Sequence, residues 1–219
     1  MPTFGFSAFL KLLSLNPKPQ RREVRTRLSP STGGYDFHRS LRLKVRRLML
    51  ENEDIETLLE EASHLGNPAE RRSLEEGLRL LDDWRRSNPG EVTDIASALY
   101  VSPHENFKVS FIPDFGYRMG DKNVAIHVWN TGTVQLSERM TYVALELIAS
   151  SYDEHTAPDD LAVLSLPDRR LYRLDSVPDQ GSLAALVAAD LDRTFEGVRD
   201  GMTTPPPAPP EIRPTGTTG

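Results

Sequence analysis

Residues 107–129 read FKVSFIPDFGYRMGDKNVAIHVW, and in this stretch the spacing of apolar side chains decides the fold. Phe107, Val109 and Phe111 alternate with polar residues, which is the period of a strand with one buried face. Two further apolar runs, 115–119 and 124–129, flank residues 120–123, which read GDKN. Because these residues tolerate positive φ, the segment predicts a β-hairpin.

Downstream of the hairpin, helical and strand spacing alternate. Ser137 is a candidate N-cap for a helix that ends near residue 149, and apolar runs at 161–166 and 171–174 predict two strands joined by a tight turn. A last amphipathic helix is predicted to end near Val198. This half therefore has the order β-β-β-α-β-β-α.

Upstream, apolar residues recur every three or four positions from about residue 35 to residue 90. They form three stripes, which predict a layer of about three helices. The third helix has a clear start, since Asn67 and Pro68 suit the N-cap and first helical position. The whole pattern predicts an α+β fold in which the helices cover a mainly antiparallel sheet.

Both ends of the chain differ in composition from the middle. Residues 16–34 contain several prolines, glycines and arginines, and we expect an extended arm there. Phe4, Phe6, Phe9 and Leu10 favour packing onto the domain over an exposed hook for a partner. Residues 201–219 are rich in proline and predict a disordered tail. The predicted organisation is a basic arm at 1–34, a helical layer at 35–90, an α+β unit at 91–200 packed with it as one domain, and the tail.

Composition excludes several classes of protein. The chain has no cysteine, so it can form neither disulfides nor thiolate metal sites. No apolar run reaches the roughly 20 residues that span a bilayer. The five histidines are scattered without the spacing of a zinc site, and we expect no metal or other cofactor. The sequence favours a soluble, cytoplasmic protein.

Charge is distributed unevenly along the chain, although the net charge is only −6. A basic block from Lys18 to Arg47 precedes an acidic block from Glu51 to Asp83. The two blocks either pair with each other, which is the favoured interpretation, or leave the basic block free for phosphates. The candidate nucleic-acid-binding residues are Arg21, Arg22, Arg25, Arg27, Arg42, Arg46 and Arg47.

No motif for nucleophilic or nucleotide chemistry is present in the linear sequence. There is no Gly-x-Ser-x-Gly elbow, and Gly33-Gly34 lacks the lysine of a phosphate-binding loop. Serine, aspartate and histidine side chains can still converge in a folded chain, which spacing alone does not reveal.

The run Ile112-Pro113-Asp114, the hairpin after it and the strand 124–129 resemble the core of the PD-(D/E)xK nucleases. The resemblance covers about a quarter of the chain and implies that Asp114 is a metal ligand. It is incomplete, because His127 and Trp129 stand where an acid and a lysine belong. A full set of carboxylates would create a hard oxygen site for magnesium. The layout is also similar to uncharacterised bacterial proteins, which implies no activity.

The sequence thus favours a non-catalytic interaction or structural module with an unidentified partner. The alternatives are nucleic-acid association through the basic arm and a degenerate PD-(D/E)xK-like nuclease in which Asp114 is the only candidate catalytic residue.

Overall fold

A computed structural model describes residues 1–29 and 39–203 of the chain. The helices are α1 (Phe6–Ser14), α2 (Pro17–Leu28), α3 (Arg39–Leu50), α4 (Ile55–Ser63), α5 (Pro68–Ser87), α6 (Glu138–Ala149) and α7 (Gly181–Thr203). The strands are β1 (Thr3–Gly5), β2 (Val92–Thr93), β3 (Ala98–Val101), β4 (Lys108–Phe111), β5 (Phe115–Met119), β6 (Lys122–Trp129), β7 (Asp160–Ser165) and β8 (Arg170–Arg173).

The strands form two sheets. The larger sheet has the order β2-β5-β6-β7-β8, and all its pairs are antiparallel except β6 with β7, which α6 connects as a crossover. The smaller sheet has the order β1-β4-β3, in which β1 runs parallel to β4. The prediction of an α+β fold with a mainly antiparallel sheet is confirmed.

The larger sheet separates two apolar clusters because successive strand residues point to opposite faces. Val124, Ile126 and Val128 of β6 face α3, α4 and α5, which is the predicted helical layer. Ala125 and Trp129 face the other way, toward α1, α6 and α7 and the smaller sheet. His127 also lies on this second face, and 3% of its surface is exposed.

The predicted helix caps and the predicted hairpin turn lie where the structure has them. The side chain of Asn67 accepts hydrogen bonds from the amides of Ala69 and Glu70 at the start of α5, and Ser137 Oγ accepts from the Met140 amide at the start of α6. Gly120 has a φ of +65° in the β5–β6 turn, a conformation that glycine adopts without strain.

The expectation of an extended arm is wrong for residues 17–28, which form α2. Pro17 and Pro19 fall within the first turn, where the missing amide has no intrahelical partner to lose and the fixed φ suits a helix. Val24 is fully buried and anchors α2 onto the domain. The rest of the predicted arm up to residue 34 lies partly outside the described residues.

The N-terminal segment packs onto the domain as expected, with Phe4 and Phe9 fully buried. At the other end, helix α7 continues to Thr203, so the predicted tail boundary at residue 201 is too early. Residues 204–219 lie outside the described residues. None of the described helices combines the length and the apolar character that crossing a membrane requires.

Candidate functional site

Asp114 directly precedes β5, at the end of the hairpin away from its turn, and 3% of its surface is exposed. Its amide donates a hydrogen bond to the carbonyl of Ile126 at 2.9 Å, which continues the β5–β6 pairing by one residue. Its Oδ2 accepts a hydrogen bond of 2.7 Å from the amide of Val128. The hairpin register therefore sets Asp114 opposite His127.

The imidazole of His127 connects Asp114 to a residue from the other end of the chain. Its Nδ1 lies 3.2 Å from Asp114 Oδ2, although the two atoms are too poorly aligned for a regular hydrogen bond and Nδ1 has no other partner in the described residues. On the opposite side of the ring, Nε2 lies 2.7 Å from Ser7 Oγ. Ser7, His127 and Asp114 thus form a row of polar side chains, in which Ser7 is hydrogen-bonded to His127 and Asp114 lies next to His127.

The side chain of His127 lies in an apolar environment. The rings of Phe6 and Phe111 flank His127, with centroids 5.1 Å and 6.3 Å from the imidazole. Ser7 is half-buried and lies in the first turn of α1, directly after β1 and Gly5. A Cβ atom on Gly5 would meet no other atom within 4 Å, so the space beside this turn is open.

The PD-(D/E)xK resemblance implies that Asp114 is a metal ligand. Residues 1–29 and 39–203 contain no group of three or more histidine, aspartate or glutamate side chains arranged to hold a metal ion. The positions where the PD-(D/E)xK resemblance implies an acid and a lysine hold His127 and Trp129, and Trp129 is buried in the apolar cluster.

A second candidate site is an exposed surface of α2. Lys18, Arg21, Arg22 and Arg25 are all exposed and follow one another at spacings of three, one and three residues, which places them on one side of a helix. We call this surface the basic face. In the described part of the chain, none of the four forms an ion pair, and Glu23 is the one acidic residue on the helix.

The other candidate arginines lie elsewhere. Arg27 lies 3.5 Å from Glu23 and packs over the ring of Phe4. Arg42 and Arg46 belong to α3, where Arg46 lies 3.4 Å from Asp94. Arg47 forms salt bridges with Glu53 and Glu61. The structure therefore brings Arg21, Arg22 and Arg25 together with Lys18 and separates them from the remaining four.

Sequence reasoning missed two features of these sites. Ser7 is 120 residues from His127, and no linear motif marks it. The basic face was hidden by the assumption that two prolines prevent a helix. The spacing of Lys18, Arg21, Arg22 and Arg25 was a readable signal for that face.

Comparison with known proteins adds no functional information. No protein-family model matches the chain, and no curated protein matches it. A solved structure titled "Crystal structure of SSO0001" is 15% identical in sequence, and the match covers 89% of this chain and 86% of that chain with a TM-score of 0.32. A similarity at this level carries no argument about fold or function.

Proposed function

We propose that this protein is an interaction module that associates with nucleic acid through the basic face of α2. The observation that supports the proposal is the clustering of Lys18, Arg21, Arg22 and Arg25 on one exposed helical surface without carboxylate partners in the described residues. Such a surface attracts phosphates because binding releases the counterions condensed on the nucleic acid.

The geometry of α2 suits a nucleic-acid backbone. From Lys18 to Arg25 the helix rises about 10 Å, so four cations fall along a length comparable to the width of a groove. The helix is held by Val24, which is fully buried, so its position is set before any partner binds. Preorganised charges lose less conformational entropy on binding than charges on a disordered arm.

The same surface fits a lipid membrane less well. A helix that lies on a membrane buries an apolar face among the acyl chains. The apolar residues of α2 are Val24, which is fully buried, and Leu28, which packs against the core, so neither is directed to solvent with the basic face. Nucleic acid is therefore the partner that the chemistry of α2 favours.

Salt dependence tests the proposal. We expect the protein to bind a labelled duplex with a slope of about −3.6 in log K against log salt if four phosphates are neutralised. Replacing Arg22 and Arg25 together by alanine should reduce the steepness of that slope by about 1.8 and weaken binding at every salt concentration. Fluorescence anisotropy at about 50 mM and about 200 mM salt measures both effects.

The matched control replaces Arg72 and Arg79, two exposed arginines on the acidic helix α5, by alanine. This variant has the same net charge as the α2 variant and should bind the duplex like the wild type. Equal loss in both variants would mean that only net charge matters. Negligible duplex binding at low salt, or binding of anionic vesicles in place of the duplex, would overturn the proposal.

A further inference from the structure

We propose that Ser7, His127 and Asp114 form a nucleophilic site that transfers the acyl group of small, uncharged esters. In this site Ser7 is the nucleophile, His127 is the general base and acid, and Asp114 is a positioning residue. The inference rests on the arrangement of these three side chains at the start of α1 and is independent of the basic face of α2.

The contact between Ser7 and His127 has the geometry that activation of a hydroxyl requires. A general base must lie within about 2.6–3.2 Å of the oxygen whose proton it accepts. Ser7 Oγ lies 2.7 Å from His127 Nε2. If the hydroxyl donates to Nε2, the ring proton resides on Nδ1, the nitrogen that faces Asp114.

The contact between His127 and Asp114 adds the carboxylate that positions the imidazole. The carboxylate is buried and held by the Val128 amide, and Nδ1 lies 3.2 Å from its Oδ2. A small rotation of the imidazole would align the pair, and such contacts commonly tighten when a substrate is bound. The buried Nδ1 has no other partner in the described residues, so nothing competes with Asp114 for its proton.

The position of Ser7 adds a means of stabilising negative charge. Ser7 lies in the first turn of α1, whose amides lack intrahelical acceptors and carry the positive end of the helix dipole. The N-cap residue Gly5 has no side chain to satisfy them. These amides are the donors that would stabilise an oxyanion formed next to Ser7.

The reaction balances without a cofactor. Ser7 Oγ bonds to the ester carbonyl carbon while its proton passes to His127 Nε2. The ester C–O bond breaks, its electron pair leaves on the alkoxy oxygen, and His127 protonates that oxygen to release an alcohol. Water then attacks the acyl-serine, gives a proton to His127, and the carboxylic acid leaves as Ser7 Oγ regains its proton.

The side chains around His127 indicate the class of substrate. Phe6 and Phe111 flank the imidazole, and the described cations of the basic face lie on another helix. A phosphate ester would place charge among aromatic rings without a compensating cation, which costs free energy. An uncharged ester avoids this cost, and the two phenylalanine rings favour a small apolar acyl group.

A fluorophosphonate tests the site directly. Diisopropyl fluorophosphate should form an Oγ–P bond at Ser7 with loss of fluoride, detected as one phosphoryl adduct by intact mass and mapped to Ser7 by peptide sequencing. We expect His127→Gln to slow labelling by about 100-fold or more, since general-base catalysis contributes about that factor. Ser7→Ala should abolish both labelling and hydrolysis of p-nitrophenyl acetate.

Ser14 provides a matched control on the same helix, because its Oγ donates to the Leu10 carbonyl and has no histidine partner. Ser14→Ala should label like the wild type. His127 is buried, so its variant can unfold, and thermal melting verifies that it is folded. Ser7 is partly exposed, so Ser7→Ala gives a second test that is less sensitive to unfolding. Absence of an adduct on Ser7 in folded wild-type protein, or an equal labelling rate in folded His127→Gln, would overturn the proposal.

The role of Asp114 requires a measurement that distinguishes control of the His127 tautomer from a general loss of structure. Asp114→Asn can keep an oxygen where Oδ2 accepts the Val128 amide, but it removes the negative charge that favours a proton on the facing Nδ1 atom of His127. We expect nitrogen NMR of the imidazole to show a change to the Nε2–H tautomer together with slower labelling. An unchanged tautomer with unchanged labelling would remove Asp114 from the site.

Discussion

The side chain of Arg47 lies between the carboxylates of Glu53 and Glu61. Its Nη2 atom is 2.6 Å from Glu53 and 2.7 Å from Glu61, and Lys44 also contacts Glu61. Hydrogen bonds from Arg47 and then Lys44 lower the pKa of Glu61 from 4.5 to about 2. The favoured interpretation of the opposite charge blocks, that they pair with each other, therefore holds for Lys44 and Arg47, which pair with Glu53 and Glu61.

This cluster predicts a pH-dependent contribution to stability. A carboxyl group whose pKa is lower in the folded state stabilises it above the unfolded-state pKa, and the contribution disappears as pH falls through the folded value. We expect Glu61→Gln to lower the urea midpoint of unfolding at pH 7. The difference from wild type should shrink as pH falls from 4.5 to about 2.

The control for this measurement is Glu60→Gln, an exposed neighbour on α4 that makes the same change in charge. Its urea midpoint should follow the wild type across this pH range, apart from a small general charge effect. Because the Glu61 pairs are solvent-exposed, added salt should reduce the Glu61→Gln effect as well. A pH-independent difference would show that the ion pairs do not contribute.

At the scale of elements, the sequence analysis predicted the β5–β6 hairpin but did not predict helix α2. The apolar runs 115–119 and 124–129 and the Gly120 turn are local properties, and they predict this hairpin. Helix α2 is the opposite case, since it is polar apart from Val24 and Leu28. Its stability comes from docking on the domain, which composition does not encode.

Docking of α2 predicts protection from proteolysis. Val24 is fully buried, and Val24→Ala should cost about 1–3 kcal/mol of the packing that holds the helix. Trypsin requires an extended chain, so we expect faster cleavage after Arg21, Arg22 and Arg25 in this variant. Peptide mapping of timed digests measures the rates.

Thr26→Ala is the control for the proteolysis experiment, because Thr26 is an exposed residue of the same helix. Its cleavage rates at the three arginines should stay close to those of the wild type. If wild-type protein is already cleaved there as fast as the Val24→Ala variant, α2 is not held against the domain, and the preorganised basic face loses its support.

At the scale of the whole molecule, the first residues of the chain belong to the core. Strand β1 pairs with β4, and Phe4 packs at ring-centroid distances of 6.4 Å and 6.1 Å from Phe107 and Phe195. These partners lie near the middle of the chain and on the last helix. One aromatic residue near the N-terminus thus joins segments that are far apart in sequence.

This packing predicts a large effect from one substitution. Phe4→Ala should lower the free energy of unfolding by about 3–5 kcal/mol, since it opens a cavity among aromatic rings. Leu99→Ala, at a position with 49% of its surface exposed, should change it by no more than about 0.5 kcal/mol. Urea denaturation followed by tryptophan fluorescence measures both, and similar values would mean that the N-terminal segment is not part of the core.

The sequence by itself determined the α+β class and the order of elements from α3 to α7, apart from the short strands β2 and β3. Each of these depends on the periodicity of neighbouring side chains, which is set by helix and strand geometry. It also determined that a cysteine nucleophile and a disulfide are impossible.

Only the tertiary structure brought Ser7 to His127 across 120 residues and set Asp114 behind them. It also decided that a proline-containing basic segment is a docked helix with its cations on one side. The physical reason is the same in both cases, because contacts between distant segments depend on how complementary surfaces pack, and local spacing carries no record of that packing.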